Sequence, residues 1–176
     1  MDMEETILLY IQDYIRNPIL DPIFIAITHL GDKGIFWIIL TVILLSIKKT
    51  RTAGICSACA LLGSFLINNL LLKNLFNRIR PYEVIEGLTC LIQPATDASF
   101  PSGHTGASFA SAVAICRQVP RKYGILLLVL ASLIAFSRLY VGIHYPTDVL
   151  GGLVTGIALG ILAGPRKNIR PATPND

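Results

Sequence analysis

Long apolar runs recur along almost the whole chain, and they constrain its fold more than any other feature. The runs cover residues 18–30, 35–47, 52–77, 102–117, 123–141 and 146–163. Apolar residues make up 53% of the 176 positions, a share that points away from a soluble domain. Inside a bilayer an α-helix satisfies its own backbone hydrogen bonds, so such runs predict membrane helices. The sequence therefore predicts an all-α, polytopic membrane protein with about six transmembrane helices.

The two ends of the chain differ from the apolar region between them. Residues 1–17 place Leu8 and Ile11 on one side of a helix and polar residues on the other. This pattern predicts an amphipathic helix at the membrane interface. Residues 18–164 are predicted to form one six-span domain. Residues 165–176 contain repeated prolines, and we expect them to form a disordered cytoplasmic tail.

Basic residues in the connections predict how the helices are oriented in the membrane. They form three clusters: Lys48, Lys49 and Arg51; Arg117, Arg121 and Lys122; Arg166, Lys167 and Arg170. Because positive residues collect at the cytoplasmic edge, the clusters predict a multi-pass plasma-membrane protein with both termini in the cytoplasm. The same placement along membrane edges argues against a nucleic-acid partner, despite the net charge of +4.

Four other cations fall on the opposite, extracytoplasmic side in this topology. The preference of positive residues for the cytoplasmic edge does not account for them. They are Lys73, Arg78, Arg80 and Arg138. Charged side chains at a membrane are costly and usually functional. We therefore predict that these cations serve a ligand.

The segment from Ser137 to Asp148 lies between the last two apolar runs. Gly142 suits the left-handed end of a helix, and Pro146 suits the first turn of the next one. His144 is thus predicted to lie in a tight corner, with Asp148 within reach of its imidazole. A neighbouring carboxylate fixes the tautomer of a histidine and stabilises its cation. The alternative is a structural ion pair at a helix corner.

Lys73 and Arg80 form a second polar segment. They are seven residues apart, so on one helix they would share a face at a separation of about 10.5 Å. Pro81 predicts that this helix ends at Arg80. The alternative is that both cations snorkel from a helix end toward the headgroups.

A third polar segment, Pro101-Ser102-Gly103-His104, opens the fourth apolar run. Ser102 is a suitable N-cap, and Gly103 lets a ligand approach the backbone closely. The free amides of a helix N-terminus bind anions, and His104 lies in the first turn of that site. The alternative is ordinary helix capping beside an interfacial histidine.

Together the three segments supply three cations, a helix N-terminus and two histidines on one side of the membrane. That combination suits a tetrahedral, multiply charged oxyanion such as phosphate. Two histidines and an aspartate resemble a set of metal ligands, but the nearby cations would repel a metal ion. We therefore predict neither a metal nor a cofactor.

In order and spacing, these segments resemble the signature of the type 2 phosphatidic acid phosphatase superfamily, which includes membrane lipid phosphatases and, more distantly, vanadium haloperoxidases. The matching parts are Lys73, six residues, Arg80-Pro81; then Pro101-Ser102-Gly103-His104; then Ser137-Arg138, five residues, His144, three residues, Asp148. The resemblance covers residues 73–148 without a gap in any part.

This resemblance implies a metal-independent phosphatase that works through a phosphohistidine. It implies that His144 attacks phosphorus, that Asp148 orients His144, and that His104 protonates the leaving oxygen and then activates water. The residues that would hold the phosphoryl oxygens are Lys73, Arg80, Ser102, Gly103 and Arg138.

The compact plan resembles small bacterial members of the superfamily, which implies a membrane lipid phosphate as substrate and undecaprenyl diphosphate in particular. Phosphatidylglycerophosphate or phosphatidic acid is the alternative, because apolar helices accept any lipid tail. Two alternatives come from other classes: a vanadate-dependent haloperoxidase, which shares the oxyanion site, and a non-catalytic lipid-binding protein. The apolar runs disfavour the first, and the complete pair of histidines disfavours the second.

Overall fold

The computed structural model describes residues 2–164, and within that range it contains helices but no strand. The α-helices are α1 (Met3–Tyr10), α2 (Leu20–Leu30), α3 (Ile35–Ser46), α4 (Arg51–Ser64), α5 (Lys73–Phe76), α6 (Pro81–Val84), α7 (Gly103–Cys116), α8 (Arg121–Tyr140) and α9 (Pro146–Leu162). Short segments of other helix types are Ile11–Ile15 (π), Asp32–Gly34 (3₁₀) and Phe65–Leu72 (π). The all-α prediction is confirmed. The predicted tail, residues 165–176, and its basic cluster lie outside the described residues.

The central helix is α7, and small residues let its neighbours approach closely. Ala110, in its middle, is fully buried. α9 packs along α7 through glycines: a Cβ added at Gly156 would lie 2.6 Å from the carbonyl oxygen of Gly106. Gly152 faces the first turn of α7 and Gly160 faces a later one, so the two helices run parallel. Their N-termini therefore lie at the same end of the bundle.

Hydroxyl groups join α3, α4 and α7 inside the bundle. Trp37 Nε1 donates to Ser108 Oγ at 2.9 Å, and Ser57 Oγ lies 2.7 Å from both Thr41 Oγ1 and Ser111 Oγ. All five residues are buried, where polar groups need such partners. Successive turns of α3 thus meet successive turns of α7, and the two helices run in the same direction.

α2 and α3 form one bent segment rather than the predicted pair of spans at 18–30 and 35–47. Their directions differ by 45° across the short break between them. At the break Lys33 (φ 51°) and Gly34 (φ 68°) adopt left-handed conformations, which interrupt the helix without reversing the chain. The structure therefore does not confirm two separate spans at 18–30 and 35–47.

Contacts with α8 follow the same continuous path. Taken along α2 into the break before α3, the contact pairs are Phe24 with Tyr140, Thr28 with Arg138, and Gly31 with Ile134. As the chain advances along α2, its partners in α8 lie progressively farther from the C-terminal end of α8. α2 and α3 together therefore run antiparallel to α8.

Few segments of the described chain are long enough to cross a membrane alone. By length and composition two qualify, Arg51–Val84 and Arg121–Tyr140, and the bent pair Leu20–Leu30 and Asp32–Ser46 can count as a third. The helices coincide with the predicted runs to within about two residues, but six transmembrane helices are not confirmed. The contacts give five passes along the bundle, because α2 and α3 share one.

The N-terminal helix α1 lies at the end of the bundle where α7 and α9 begin. The amide of Thr147, at the start of α9, donates to Glu4 Oε1 at 3.0 Å. The last described residue, Gly164, lies at the opposite end, where its carbonyl accepts a bond from Arg117 at 3.4 Å. α1 and Gly164 therefore lie at opposite ends of the bundle, and the prediction that both termini are cytoplasmic stays a prediction.

Candidate active site

A cavity of about 620 Å³ lies at the end of the bundle where α7 begins. Six of the eight predicted site residues line it: Lys73, Arg80, Gly103, His104, Arg138 and His144. The other two, Ser102 and Asp148, are fully buried beside this lining. Apolar side chains of α3, α4 and the π-helical segment complete the walls, among them Ile38, Leu61 and Phe65. The fold thus brings all three polar segments of the sequence to one place.

The corner between α8 and α9 has the shape that the sequence predicts. Gly142 has a φ of 80°, which ends α8 in a left-handed conformation. Tyr145 is extended, with a ψ of 157°, and Pro146 occupies the first turn of α9. His144 lies between them and is only 1% exposed. The corner therefore buries the imidazole and turns it toward the cavity.

The hydrogen bonds of His144 define its tautomer. Arg80 Nη1, which can only donate, lies 3.1 Å from Nε2, so Nε2 accepts and carries no proton. The proton is on Nδ1, which lies 3.3 Å from Asp148 Oδ2. Burial, with the positive charges of Arg80 and Arg138, lowers the pKa of His144. The side chain is a neutral imidazole whose lone pair lies beside Arg80.

Asp148 is held from several sides. Its Oδ2 accepts bonds from the amide of Tyr145 at 2.9 Å and from the Ser99 hydroxyl. Its Oδ1 accepts a bond from Arg78 Nη1 at 2.8 Å. Arg78 also pairs with Glu4 of α1 at 2.6 Å and does not line the cavity. The prediction that Arg78 serves a ligand is therefore corrected: within the described chain, it holds the carboxylate that supports His144.

Arg138 presents an unmatched donor beside the cavity. Its Nη1 donates to Thr28 Oγ1 at 2.5 Å, while its buried Nε has no partner among the described residues. The side chain is 4% exposed. A buried N–H without an acceptor costs free energy, on the order of 1–3 kcal/mol. An oxyanion in the cavity can supply that acceptor.

Lys73 and Arg80 reach the cavity by a route different from the predicted one. The helix ends at Phe76, Asn77 is left-handed (φ 40°), and Arg80 is extended. The two cations therefore do not share one helix face. They converge because the chain bends at Asn77 and returns to the bundle before Pro81.

The carboxylate of Asp97, in the loop before α7, bridges these two cations. It pairs with Lys73 Nζ and accepts a bond from Arg80 Nη2 at 2.6 Å. Burial raises the pKa of this carboxyl, but the bonds and charges of Lys73 and Arg80 outweigh that effect and lower the pKa to about 2. Asp97 is thus ionised throughout the physiological pH range, and it occupies the place where the two cations would meet an anion.

The first turn of α7 is capped as the sequence predicts. Ser102 Oγ accepts a bond from the amide of Thr105 at 3.4 Å. Gly103 lies close to Asn69, whose Oδ1 would be 3.1 Å from a Cβ at that position. Capping commits the Ser102 oxygen to the helix, whereas Gly103 and His104 face the cavity.

Sequence reasoning missed four side chains that contact the predicted residues. They are Thr28, which bonds Arg138; Asp32, which bonds His104; Asp97, which bonds Lys73 and Arg80; and Ser99, which bonds Asp148. None belongs to the three polar segments. The one available signal was the presence of carboxylates next to apolar runs.

A neutral buried histidine backed by a carboxylate, a second histidine and three cations around one cavity define a site for phosphoryl transfer. The fold places this site in a bundle of apolar helices, so the class is a membrane phosphoryl-transfer protein. A family model described as the PAP2 superfamily matches residues 53–166, and the chain belongs to this family.

Three known proteins illustrate this relationship. Undecaprenyl-diphosphatase BcrC of Bacillus subtilis is 36% identical over 147 residues, 84% of this chain and 75% of that protein. The crystal structure of Aquifex aeolicus LpxE superposes with a TM-score of 0.83 at 27% identity, over 93% of this chain and 95% of that one. The crystal structure of a phosphatidylglycerolphosphate phosphatase from Bacillus subtilis gives a TM-score of 0.76 at 30% identity, over 91% of this chain and 82% of that one.

The predictions of family and enzyme class are confirmed by this membership. The chain is a hydrolase of phosphoric monoesters or diphosphates that resides in a membrane.

Proposed function

We propose that the protein hydrolyses undecaprenyl diphosphate to undecaprenyl phosphate through a phosphohistidine on His144. The observation that carries the reaction is the lone pair of His144 Nε2, which lies 3.1 Å from Arg80 in a cavity lined by two more cations. The substrate is supported by the 36% identity to a relative named for that activity. The cavity has a cationic end that suits the diphosphate and apolar walls that suit the lipid chain.

In the first step His144 Nε2 forms a bond to the terminal phosphorus, and the bond from phosphorus to the bridging oxygen breaks. His104 gives its proton to that oxygen as the bond breaks. The charge on the transferred group is neutralised by Lys73, Arg80 and Arg138. Binding the phosphate requires that Asp97 release the two cations.

In the second step His104, now neutral, takes a proton from water. The water oxygen bonds to phosphorus, and the bond from phosphorus to His144 breaks. Inorganic phosphate leaves, His144 regains its neutral form, and His104 is again protonated. Asp148 accepts a hydrogen bond from the Nδ1–H of His144 throughout and stabilises the positive charge that His144 develops.

A membrane orientation follows from the two ends of the bundle. The connections that hold Lys48, Lys49 and Arg51, and Arg117, Arg121 and Lys122, lie at the end opposite to the cavity. The positive-inside rule then places the cavity on the extracytoplasmic face and the end of α9 in the cytoplasm. The five passes, with the bent α2–α3 segment counted once, would cross the plasma membrane within a single domain.

The N-terminal helix would lie in the membrane interface on that extracytoplasmic face. The outer side of α1 and of the π-helical segment that follows it carries Met3, Ile7, Tyr10 and Tyr14, all exposed, while Leu8 is fully buried against the protein. Residues at this spacing form one stripe along the helix. Tyr10 and Tyr14 stack on each other. Aromatic rings are favoured at the depth of the lipid headgroups, which supports this position for the helix.

A second candidate substrate within the class is phosphatidylglycerophosphate. It is favoured by the TM-score of 0.76 to a structure named for that activity. The apolar walls at Ile38, Leu61 and Phe65 can pack against an acyl or a prenyl chain alike.

Phosphate release from a panel of lipids tests the proposed substrate. The panel contains undecaprenyl diphosphate, phosphatidylglycerophosphate, phosphatidic acid and a soluble phosphate ester, each assayed with the purified protein in detergent. We expect the highest kcat/KM for undecaprenyl diphosphate. If it ranks among the poorest substrates while another lipid is hydrolysed well, the substrate assignment is wrong and the site stands.

Replacement of Asp97 by asparagine should tighten inhibition by vanadate or inorganic phosphate. The variant removes the carboxylate that competes for Lys73 and Arg80. At this half-exposed position we expect a gain of about three- to tenfold, because one unit charge near two cations is worth roughly 1 kcal/mol there. Inhibition constants measured at fixed ionic strength check this. Glu86→Gln, in the same loop and exposed, is the matched control and should leave the inhibition constants unchanged. If Asp97→Asn is inhibited more weakly than the parent enzyme, Asp97 holds the two cations in place for the anion instead of competing with it.

A further inference from the structure

The second histidine of the cavity, His104, has a carboxylate partner that none of the three polar segments supplies. His104 Nε2 lies 3.0 Å from Asp32 Oδ1. Asp32 belongs to the 3₁₀ turn between α2 and α3, 72 residues away in the chain. Its other oxygen, Oδ2, lies 2.7 Å from His29 Nδ1. Both oxygens of this carboxylate are therefore engaged by imidazole rings.

The turn that carries Asp32 is shaped to receive the ring of His104. A Cβ at Gly31 would lie 2.6 Å from His104 Cδ2, so the ring packs directly on the backbone of the turn. Lys33 and Gly34 then leave in left-handed conformations, which bend the chain into α3. The bend that interrupts the α2–α3 segment thus places a carboxylate beside the imidazole.

This contact determines which nitrogen of His104 can exchange a proton. A carboxylate only accepts, so the proton on Nε2 stays in the bond to Asp32. Nδ1 is then the nitrogen that gives a proton to a leaving oxygen and later takes one from water. Burial and two cations that line the same cavity, Arg138 and Lys73, oppose the imidazolium form, and the negative charge of Asp32 acts against them.

We propose that Asp32 is a positioning residue that holds His104 in the orientation and charge state needed for general acid–base catalysis. The proposal rests on the proposed function, because it assigns to His104 the proton transfers of that mechanism. It gives the enzyme two carboxylate–imidazole pairs with separate tasks. Asp148 supports the nucleophile, and Asp32 supports the acid and base.

The test is Asp32→Asn assayed on aryl phosphates of graded leaving-group acidity, from phenyl phosphate to p-nitrophenyl phosphate. The quantity kcat/KM reports the step in which the leaving group departs. We expect a loss of about 10- to 100-fold with phenyl phosphate, because general acid help is worth that or more, and a loss that shrinks toward p-nitrophenyl phosphate. His104→Asn should show the same trend.

A purely structural role for Asp32 would give a different pattern. In that case Asp32→Asn would lower kcat/KM by the same factor for every aryl phosphate, and the proposal would be wrong. The proposal would also be wrong if Asp32→Asn lost no activity at all. Vanadate inhibition constants within about threefold of the parent value establish that the variant keeps its phosphate site. His29→Asn, which removes only the outer ring, is the matched control and should retain nearly full activity. If His144→Ala keeps its activity, the proposed function itself fails, which separates that failure from this one.

Discussion

Replacement of His144 by alanine is expected to lower kcat by about 10⁴- to 10⁶-fold, the range seen when a nucleophile is removed from an enzyme. His144 Nε2 is the only nitrogen of this ring without a proton, and Arg80 holds it beside the other cations of the cavity. Alanine leaves the cation site in place but offers phosphorus no atom to bond. Substrate should therefore still bind, and the loss should appear in kcat rather than in KM.

The covalent intermediate gives this prediction a second readout. Rapid quenching of the parent enzyme with substrate labelled on the terminal phosphate should trap a phosphoenzyme that is stable to alkali and labile to acid. His144→Ala should form none. His29→Ala is the matched control, since the side chain of His29 is half-exposed and its hydrogen bond goes to Asp32. A folded His144→Ala variant with near-normal turnover would exclude His144 as the nucleophile.

The corner at His144 could be predicted because everything that shapes it is local. A glycine ends one helix, a proline begins the next, and the carboxylate lies in the first turn after it. These are Gly142, Pro146 and Asp148, and each acts on backbone within a few residues of itself. The capped start of α7 at Ser102 could be predicted for the same reason.

The path from α2 to α3 could not be predicted, because an apolar pattern locates helices but does not give the direction of the chain between them. Gly31 to Gly34 has the composition of a hairpin turn. In the structure Lys33 and Gly34 bend the chain by only 45°. This bend therefore changes the number of passes along the bundle from six to five, and it sets the end of the bundle at which α1 lies.

The partners of the site residues escaped prediction because their pairings span the chain. Asp97 is 24 residues from Lys73, and Asp32 is 72 residues from His104. A motif links residues at fixed spacing within one segment, whereas these pairs depend on how helices pack. The break at Asn77 had a further effect: it moved Arg80 off the helix that carries Lys73, yet the two side chains still meet at Asp97.

Replacement of Asp148 by asparagine should remove nearly all activity, although the two side chains have the same shape. Asp148 accepts a hydrogen bond from the Nδ1–H of His144, which leaves the Nε2 lone pair beside Arg80. An asparagine can turn its NH₂ toward Nδ1 and so favour the tautomer with the proton on Nε2. That proton would meet the N–H of Arg80, and no lone pair would face phosphorus. We expect kcat/KM to fall by about 10³- to 10⁴-fold, as loss of tautomer control does in a Ser-His-Asp triad.

The dependence on the leaving group separates this variant from Asp32→Asn. Asp148 acts on the nucleophile, so its loss should lower kcat/KM equally for phenyl phosphate and p-nitrophenyl phosphate. Asp13→Asn, on the exposed surface next to α1, is the matched control and should behave like the parent enzyme. Thermal unfolding establishes that Asp148→Asn is folded. With the NH₂ at the Oδ2 position, Arg78 can still donate to the remaining oxygen, and the Ser99 hydroxyl can accept a bond from the NH₂. High activity in the folded variant would mean that Arg80 alone selects the tautomer, because its N–H admits only an acceptor at Nε2.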